Sequence, residues 1–243
     1  LVKYCFEDSL NNGQLIYRGG GNVLSEIIFN GSAGRIEGRY HQTHKDGAPI
    51  AIVLHPHPQF GGTMNNKVVY ALYRSFAERG FNTLRFNFRG VGRSEGTYDN
   101  GEGELNDAAS ALDWLQANNT NASACWVAGF SFGAWIGMQL LMRRPELEGF
   151  VSISPPADRY DFGFLAPCPV PGLILQGDKD DIVPHSSVAN LVSKLQLQRG
   201  INIDYRMIPQ ADHFFAGQLA ELRTHVEDYL AKNLLRSSMV VNQ

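Results

Sequence analysis

The chain has 243 residues, 44% of them hydrophobic and 19% charged, and 21 basic against 24 acidic side chains give a formal net charge of −3. That length buries a sizeable core as one α/β domain, while a slightly acidic balance gives no electrostatic reason to expect nucleic acid or an anionic membrane surface. No run of about 20 apolar residues is present, so no helix is expected to span a bilayer.

The first residues, Leu1 to Asp8, carry acids where a secretory signal needs its apolar core, and the expected location is the cytoplasm. Residues 1–23 read as an N-terminal extension joined through the glycine run of Arg18–Asn22, a flexible joint. The folded domain is expected over residues 24–236, with a C-terminal tail over 237–243. Cys5, Cys125 and Cys168 are odd in number and widely spaced, which argues against a disulfide framework or a zinc cluster.

Glu26–Asn30 and Gly34–His41 read as two strands around an Asn30-Gly31 turn, forming an antiparallel edge. Ile50–His55 is a continuous apolar run, as expected of a parallel strand buried on both faces. A long polar, glycine-rich loop follows, His55-Pro-His-Pro-Gln-Phe-Gly-Gly-Thr-Met-Asn-Asn66. Beyond it, Val68, Val69, Leu72, Tyr73 and Phe76 share a helical stripe with Asn65 or Asn66 as N-cap. Phe81–Phe88 is the next strand. Its sequel, Arg89–Gly96, has Gly90 and Gly92 but no third glycine and no helix opening there, so it is a turn and not a dinucleotide fingerprint. Leu105, Ala108, Ala109, Leu112 and Leu115 mark an amphipathic helix over Glu104–Leu115.

The most informative stretch is Cys125–Met138. A short apolar run reaches Gly129-Phe-Ser-Phe-Gly133 and passes at once into an apolar helix, the layout of a nucleophile elbow. Such a turn strains the backbone of its serine, here Ser131, and projects the hydroxyl above the sheet, while the small residues on either side let neighbouring backbone approach. Ser131 would then stand at a helix N-terminus, where free N–H groups favour developing negative charge, and the Phe132 N–H would supply half of an oxyanion hole.

Gly149–Ser154 and Gly172–Gln176 read as further buried strands. The segment between them, Pro155–Pro171, is too short for a cap domain. A helix from Ser186, an alternating edge strand over Ile201–Ile208 and a helix carrying Leu219, Leu222, Val226, Tyr229 and Leu230 complete the chain. This alternation predicts an α/β fold, a mostly parallel central sheet with helices on both faces, whose chemistry belongs at the C-terminal strand ends.

A serine hydroxyl needs a base, and the base needs a carboxylate to fix its tautomer. His213, in the loop between the last strand and last helix, is the expected base. The acid lies within Gln176–Pro184, where Asp180 at the tip of the strand-to-helix turn is preferred over Asp181 and Asp178, which can instead hold turn N–H groups. A metal reading of His55 and His57 with Glu102 or Glu104 is interrupted by two prolines and lacks a His-Glu helix motif, so no metal is expected.

With these residues in place the chain resembles the α/β-hydrolases. Gly129–Gly133 matches their elbow, Gly177-Asp-Lys-Asp-Asp-Ile-Val-Pro184 their acid turn and Asp212-His-Phe-Phe215 their histidine loop. The His-Pro-His-Pro-x-x-Gly-Gly-Thr-Met loop together with Leu84–Gly92 is similar to a group of small, cap-less bacterial predicted hydrolases. The resemblance covers about residues 24–236 and implies fold and mechanism while leaving the substrate open. One departure concerns the second oxyanion donor: many members have His-Gly where this chain has His55-Pro56, and proline has no N–H, so the donor is expected to be His57 or Gln59.

The expected activity is a serine hydrolase cleaving small carboxylic esters through an acyl-enzyme, with Ser131, Asp180 and His213 as triad and no cofactor. Loop aromatics, chiefly Phe60, Phe130, Tyr160 and Phe214, suggest an apolar substrate pocket. A thioesterase or peptidase could use the same triad, and a catalytically silent binding protein could keep the same fold. A homo-oligomer is compatible with the sequence, and the small-molecule ester is the one partner it implies.

Overall fold

A computed structural model describes residues 15–17, 23–43 and 45–240. Among these residues, nine strands form one sheet in the order β1-β2-β3-β5-β4-β6-β7-β8-β9. The antiparallel end comprises β1 (Leu15–Tyr17), β2 (Val23–Gly31) and β3 (Gly34–Gln42), and β3 also pairs antiparallel with β5 (Asn82–Phe86). From β5 onward every pairing is parallel, through β4 (Ile50–Leu54), β6 (Cys125–Phe130), β7 (Gly149–Ile153), β8 (Gly172–Gly177) and β9 (Ile203–Ile208).

The central strands are buried along their whole length because helices cover both faces. Alternate residues go to opposite layers. Ile50, Ile52, Leu54 and Val127 join one core with helices α2 (Glu102–Ala117), α3 (Phe132–Leu141) and α4 (His185–Gln196). Ala51, Val53, Trp126 and Ala128 join the other with α1 (Lys67–Glu78) and α5 (Leu219–Val240). Asn66 caps α1, its side chain accepting from the Val68 and Val69 N–H groups. Among the described residues no cap domain is inserted: the β7–β8 connection holds one helical turn, Gly163–Leu165, among plain turns and loop.

Three local expectations change. The β2–β3 hairpin turns at Ser32-Ala33, with Gly31 opposite Gly34, and not at Asn30-Gly31. Leu15–Tyr17, within the segment read as an N-terminal extension, is a strand paired with Leu24–Glu26. Helix α5 runs to Val240, taking in the start of the stretch read as a tail. The glycine joint at Arg18–Asn22 and the last residues, 241–243, lie outside the described residues.

The elbow rests on two close backbone approaches. A Cβ on Gly129 would stand 2.2 Å from the Gly133 carbonyl oxygen, and one on Gly133 would stand 2.4 Å from that of Leu54. Backbone on both sides leaves neither site able to yield as a flexible side chain would. Gly133→Ala is therefore expected to cost about 3 kcal/mol, at the upper end for overpacking, and to lower the urea midpoint without changing the slope of the transition.

Candidate active site

Ser131 lies between β6 and α3 with φ 54° and ψ −119°, a conformation L-residues rarely adopt. Its own N–H donates to the Ile153 carbonyl at 2.8 Å, and its carbonyl accepts from Ala134, so the strain is held by both the neighbouring strand and the helix. Ser131 lines a cleft of about 490 Å³ at the C-terminal strand ends, together with His57, Phe60, Phe132, Tyr160, His213 and Phe214.

Asp180 is buried and fully engaged. Its Oδ1 accepts the Ile182 and Val183 N–H groups at 3.0 and 2.7 Å, while Oδ2 accepts from the Gln176 amide at 2.9 Å and pairs with His213 Nδ1 at 2.8 Å. Burial alone would favour the neutral acid, but the His213 hydrogen bond and charge, helped by the Val183 and Gln176 donors, hold the carboxyl below its ordinary value. The carboxylate is thus the acceptor that keeps the His213 proton on Nδ1 and leaves Nε2 directed to other work. No hydrogen bond joins Ser131 Oγ to His213 Nε2 in this structure; the two residues meet as walls of one cleft. Asp178 binds elsewhere. Its Oδ1 accepts the Gln210 N–H at 2.5 Å, and the Lys179 N–H donates to the Ala211 carbonyl, zipping the acid turn to the histidine loop. Asp181 is exposed.

The Phe132 N–H opens α3 and is donated to no group among the described residues, and the same is true of the His57 N–H. Gln59 differs, because its N–H donates to His57 Nδ1 at 3.2 Å and is already spent. With Nδ1 accepting, the His57 proton sits on Nε2, which lies 3.1 Å from Tyr98 Oη and donates to it. Burial holds the His57 imidazole below its ordinary value and pushes the Tyr98 phenol up to about 12, so neither is charged near neutrality. His55 is the mirror case. The Phe88 N–H donates to its Nε2 at 3.0 Å, so its proton is on Nδ1, donating to the Pro56 carbonyl at 2.6 Å.

Of the aromatics expected at the substrate pocket, Phe60, Tyr160 and Phe214 line the cleft, with Phe60 84% exposed at its rim. Phe130 does not. It is fully buried at the end of β6, its ring centroid 4.9 Å from that of His213, and supports the imidazole from below. Sequence reading missed the role of Gln176, the penultimate residue of β8, which holds Asp180, and it missed Arg159 and Ile182, which line the cleft from two loops. Among the described residues no three His, Cys, Asp or Glu side chains gather as metal ligands would. Glu104 is occupied in accepting the Asp99 and Gly101 N–H groups. Cys125 and Cys168 are buried, and burial pushes the Cys125 thiol up to about 12; Cys5 lies outside the described residues. No helix among the described residues is long and apolar enough to cross a membrane.

The X-Pro dipeptidyl-peptidase (S15) family model matches residues 37–167, and the prolyl oligopeptidase family model matches residues 148–236. An uncharacterized protein of Rickettsia prowazekii is 56% identical over 211 residues, covering 85% of this chain and 89% of its own. The crystal structure of an Agrobacterium tumefaciens protein of unknown function, proposed to be an α/β-hydrolase, is 61% identical with a TM-score of 0.84, covering 86% of this chain and 96% of its own. The chain belongs to the α/β-hydrolases. An α/β serine hydrolase homologue from Coxiella burnetii is 37% identical with a TM-score of 0.78, over 84% of this hydrolase and 96% of that one. A lid-less α/β serine hydrolase from Xanthomonas campestris is 33% identical with a TM-score of 0.77, over 86% and 94% of the two chains.

His55 gives this hydrolase a measurable pH response. Burial, aided by the nearby His57 and opposed by the Pro56 hydrogen bond, lowers its pKa from 6.5 to about 4. A depressed pKa means the unfolded chain binds the proton first as pH falls, so the stability this neutral imidazole contributes is complete above pH 6.5 and is lost on the way down to pH 4. The loss should reach about 3 kcal/mol between pH 7 and pH 4. Urea melts of wild type and His55→Gln across that range are expected to converge as the pH drops, since the variant lacks the titrating group.

Proposed function

We propose that this α/β-hydrolase is a serine carboxylesterase acting on small esters, and that its kinship lies with the cap-less members carrying the His-Pro-His-Pro loop. The observation that carries the reading is the strained Ser131 in the same cleft as a His213 whose far nitrogen is bound by Asp180. Ser131 Oγ attacks the ester carbonyl while His213 Nε2 takes its proton, and Asp180 holds the imidazolium that forms. The Phe132 and His57 N–H groups receive the oxyanion. The tetrahedral species collapses with protonation of the leaving alcohol by His213, and a water activated by the same imidazole then releases the acid and restores Ser131.

Ester rather than peptide chemistry is favoured by the cleft wall. None of its lining residues is Asp or Glu, so nothing there matches the free ammonium of a peptide held by its N-terminus. Peptidase activity is the second reading because both matching family models describe peptidases.

A fluorophosphonate probe should label wild type and not Ser131→Ala. Asp180→Asn should retain the fold and lose roughly 10³–10⁴ in kcat, because an amide no longer fixes the imidazole proton. Turnover of p-nitrophenyl esters, set beside an X-Pro p-nitroanilide, decides the bond type: hydrolysis of the anilide alone would overturn the ester reading.

Tyr98 is a positioning residue in this mechanism, since it holds the imidazole whose own backbone N–H faces the oxyanion. Tyr98→Phe should lower kcat by about tenfold while leaving KM within about twofold, as expected when an interaction made only in the transition state is loosened. A loss confined to KM would place Tyr98 in substrate binding instead.

A further inference from the structure

We infer that Arg159 selects esters carrying a negative charge, specifically a carboxylate on the acyl or alcohol part, an inference that rests on the esterase reading above. Apart from the two imidazoles, Arg159 is the one side chain lining the cleft that carries a charge at neutral pH; the rest are apolar, aromatic or neutral. Its guanidinium is also held in place. Nη2 donates to the Ile182 carbonyl at 2.8 Å, and Ile182 lines the cleft too, so the fork crosses from the β7–β8 connection to the acid turn along the cleft wall. Ile182 is anchored in turn, its N–H bound by Asp180 Oδ1.

Two of the three nitrogens are accounted for, Nη2 by Ile182 and Nε by Asp158 at 3.3 Å. Nη1 is donated to no group among the described residues, which leaves one edge of a planar, permanently charged fork for a ligand oxygen. Asp158 does not line the cleft and pairs with Arg159 as a sequence neighbour at the surface, where an ion pair neutralises little. Arg159 is 56% exposed, so a carboxylate in the cleft would meet that edge at its partly hydrated mouth, where a charge-assisted hydrogen bond is still stronger than a neutral one and a fork already tied to Ile182 would lose little freedom on binding. The apolar cleft therefore suits the carbon skeleton of the substrate, and Arg159 suits its charge. Half-esters of dicarboxylic acids have this form on the acyl side, and acylated hydroxy acids have it on the alcohol side.

The test is a pair of matched comparisons. On the acyl side, 4-nitrophenyl hemisuccinate is set against 4-nitrophenyl butyrate; on the alcohol side, 3-carboxyphenyl acetate is set against phenyl acetate. Wild type should favour the charged member of at least one pair in kcat/KM by about tenfold. Arg159→Gln should lower that charged member about tenfold more than its neutral partner, Arg159→Lys should keep most of the preference, and added salt should erode it. Indifference of the wild type to charge in both pairs would overturn the inference. So would an equal loss on charged and neutral esters in Arg159→Gln, because that outcome means Arg159 serves only to tie the two loops together. Fluorophosphonate labelling of Ser131 in the same preparations separates the two levels: without labelling the esterase reading falls, whereas labelling with no charge preference removes this inference alone.

Discussion

Helix α3 can begin where it does only because backbone meets backbone at the elbow with no side chain between. Gly129 faces the Gly133 carbonyl and Gly133 faces the Leu54 carbonyl, so β6, α3 and the end of β4 are locked at distances no Cβ would permit. That packing imposes the positive φ on Ser131 and sets where α3 starts. It also brings the chain leaving β4, with His55 and His57, beside the first free N–H of α3. The backbone of Ser131 and the placement of the loop leaving β4 thus have one origin, a backbone contact that tolerates no atom between its partners.

Around this contact, polar groups are braced rather than merely buried. Asp180 accepts four donors, which offsets the cost of placing a carboxylate in the interior and removes its freedom to turn away from His213. The loops bearing the acid and the histidine are stitched to each other by Asp178 and by the Ala211 carbonyl. On the antiparallel side, Glu37 accepts from Asn87 and Arg93, and Arg89 forks onto Asp107 of α2, which pins the loop beyond β5. Asp107 falls on the buried side of its helix for that reason, although a charged residue there runs against the apolar pattern.

Much of this was legible in the sequence because the strands buried on both faces must be continuous apolar runs, as Ile50–Leu54 and Cys125–Phe130 are. The elbow could be read because its glycines answer a steric demand that fixes their spacing. The hairpin turn could not be read from Asn30-Gly31, since its register is decided across the strands. A turn there would set Phe29 opposite Ser32, whereas turning at Ser32-Ala33 sets Phe29 opposite Ile36 and buries both. Gln176 and Arg159 were invisible for a similar reason: their partners, Asp180 and the Ile182 carbonyl, are joined to them by folding and not by any local pattern. Phe130 was assigned to the pocket as one of the loop aromatics around the expected site, but it belongs to β6, whose alternation turns it into the core beneath His213.

The paired histidines after β4 carry their protons on opposite nitrogens, His55 on Nδ1 and His57 on Nε2, because each accepts a backbone amide at the other position. Pyridine-like and pyrrole-like ring nitrogens resonate far apart in nitrogen-15 spectra, so the one loop leaving β4 supplies both tautomers as internal standards for each other. Any event that rearranges the loop would exchange or average those two signatures, giving a spectroscopic reporter of this wall of the cleft that needs no label beyond the isotope.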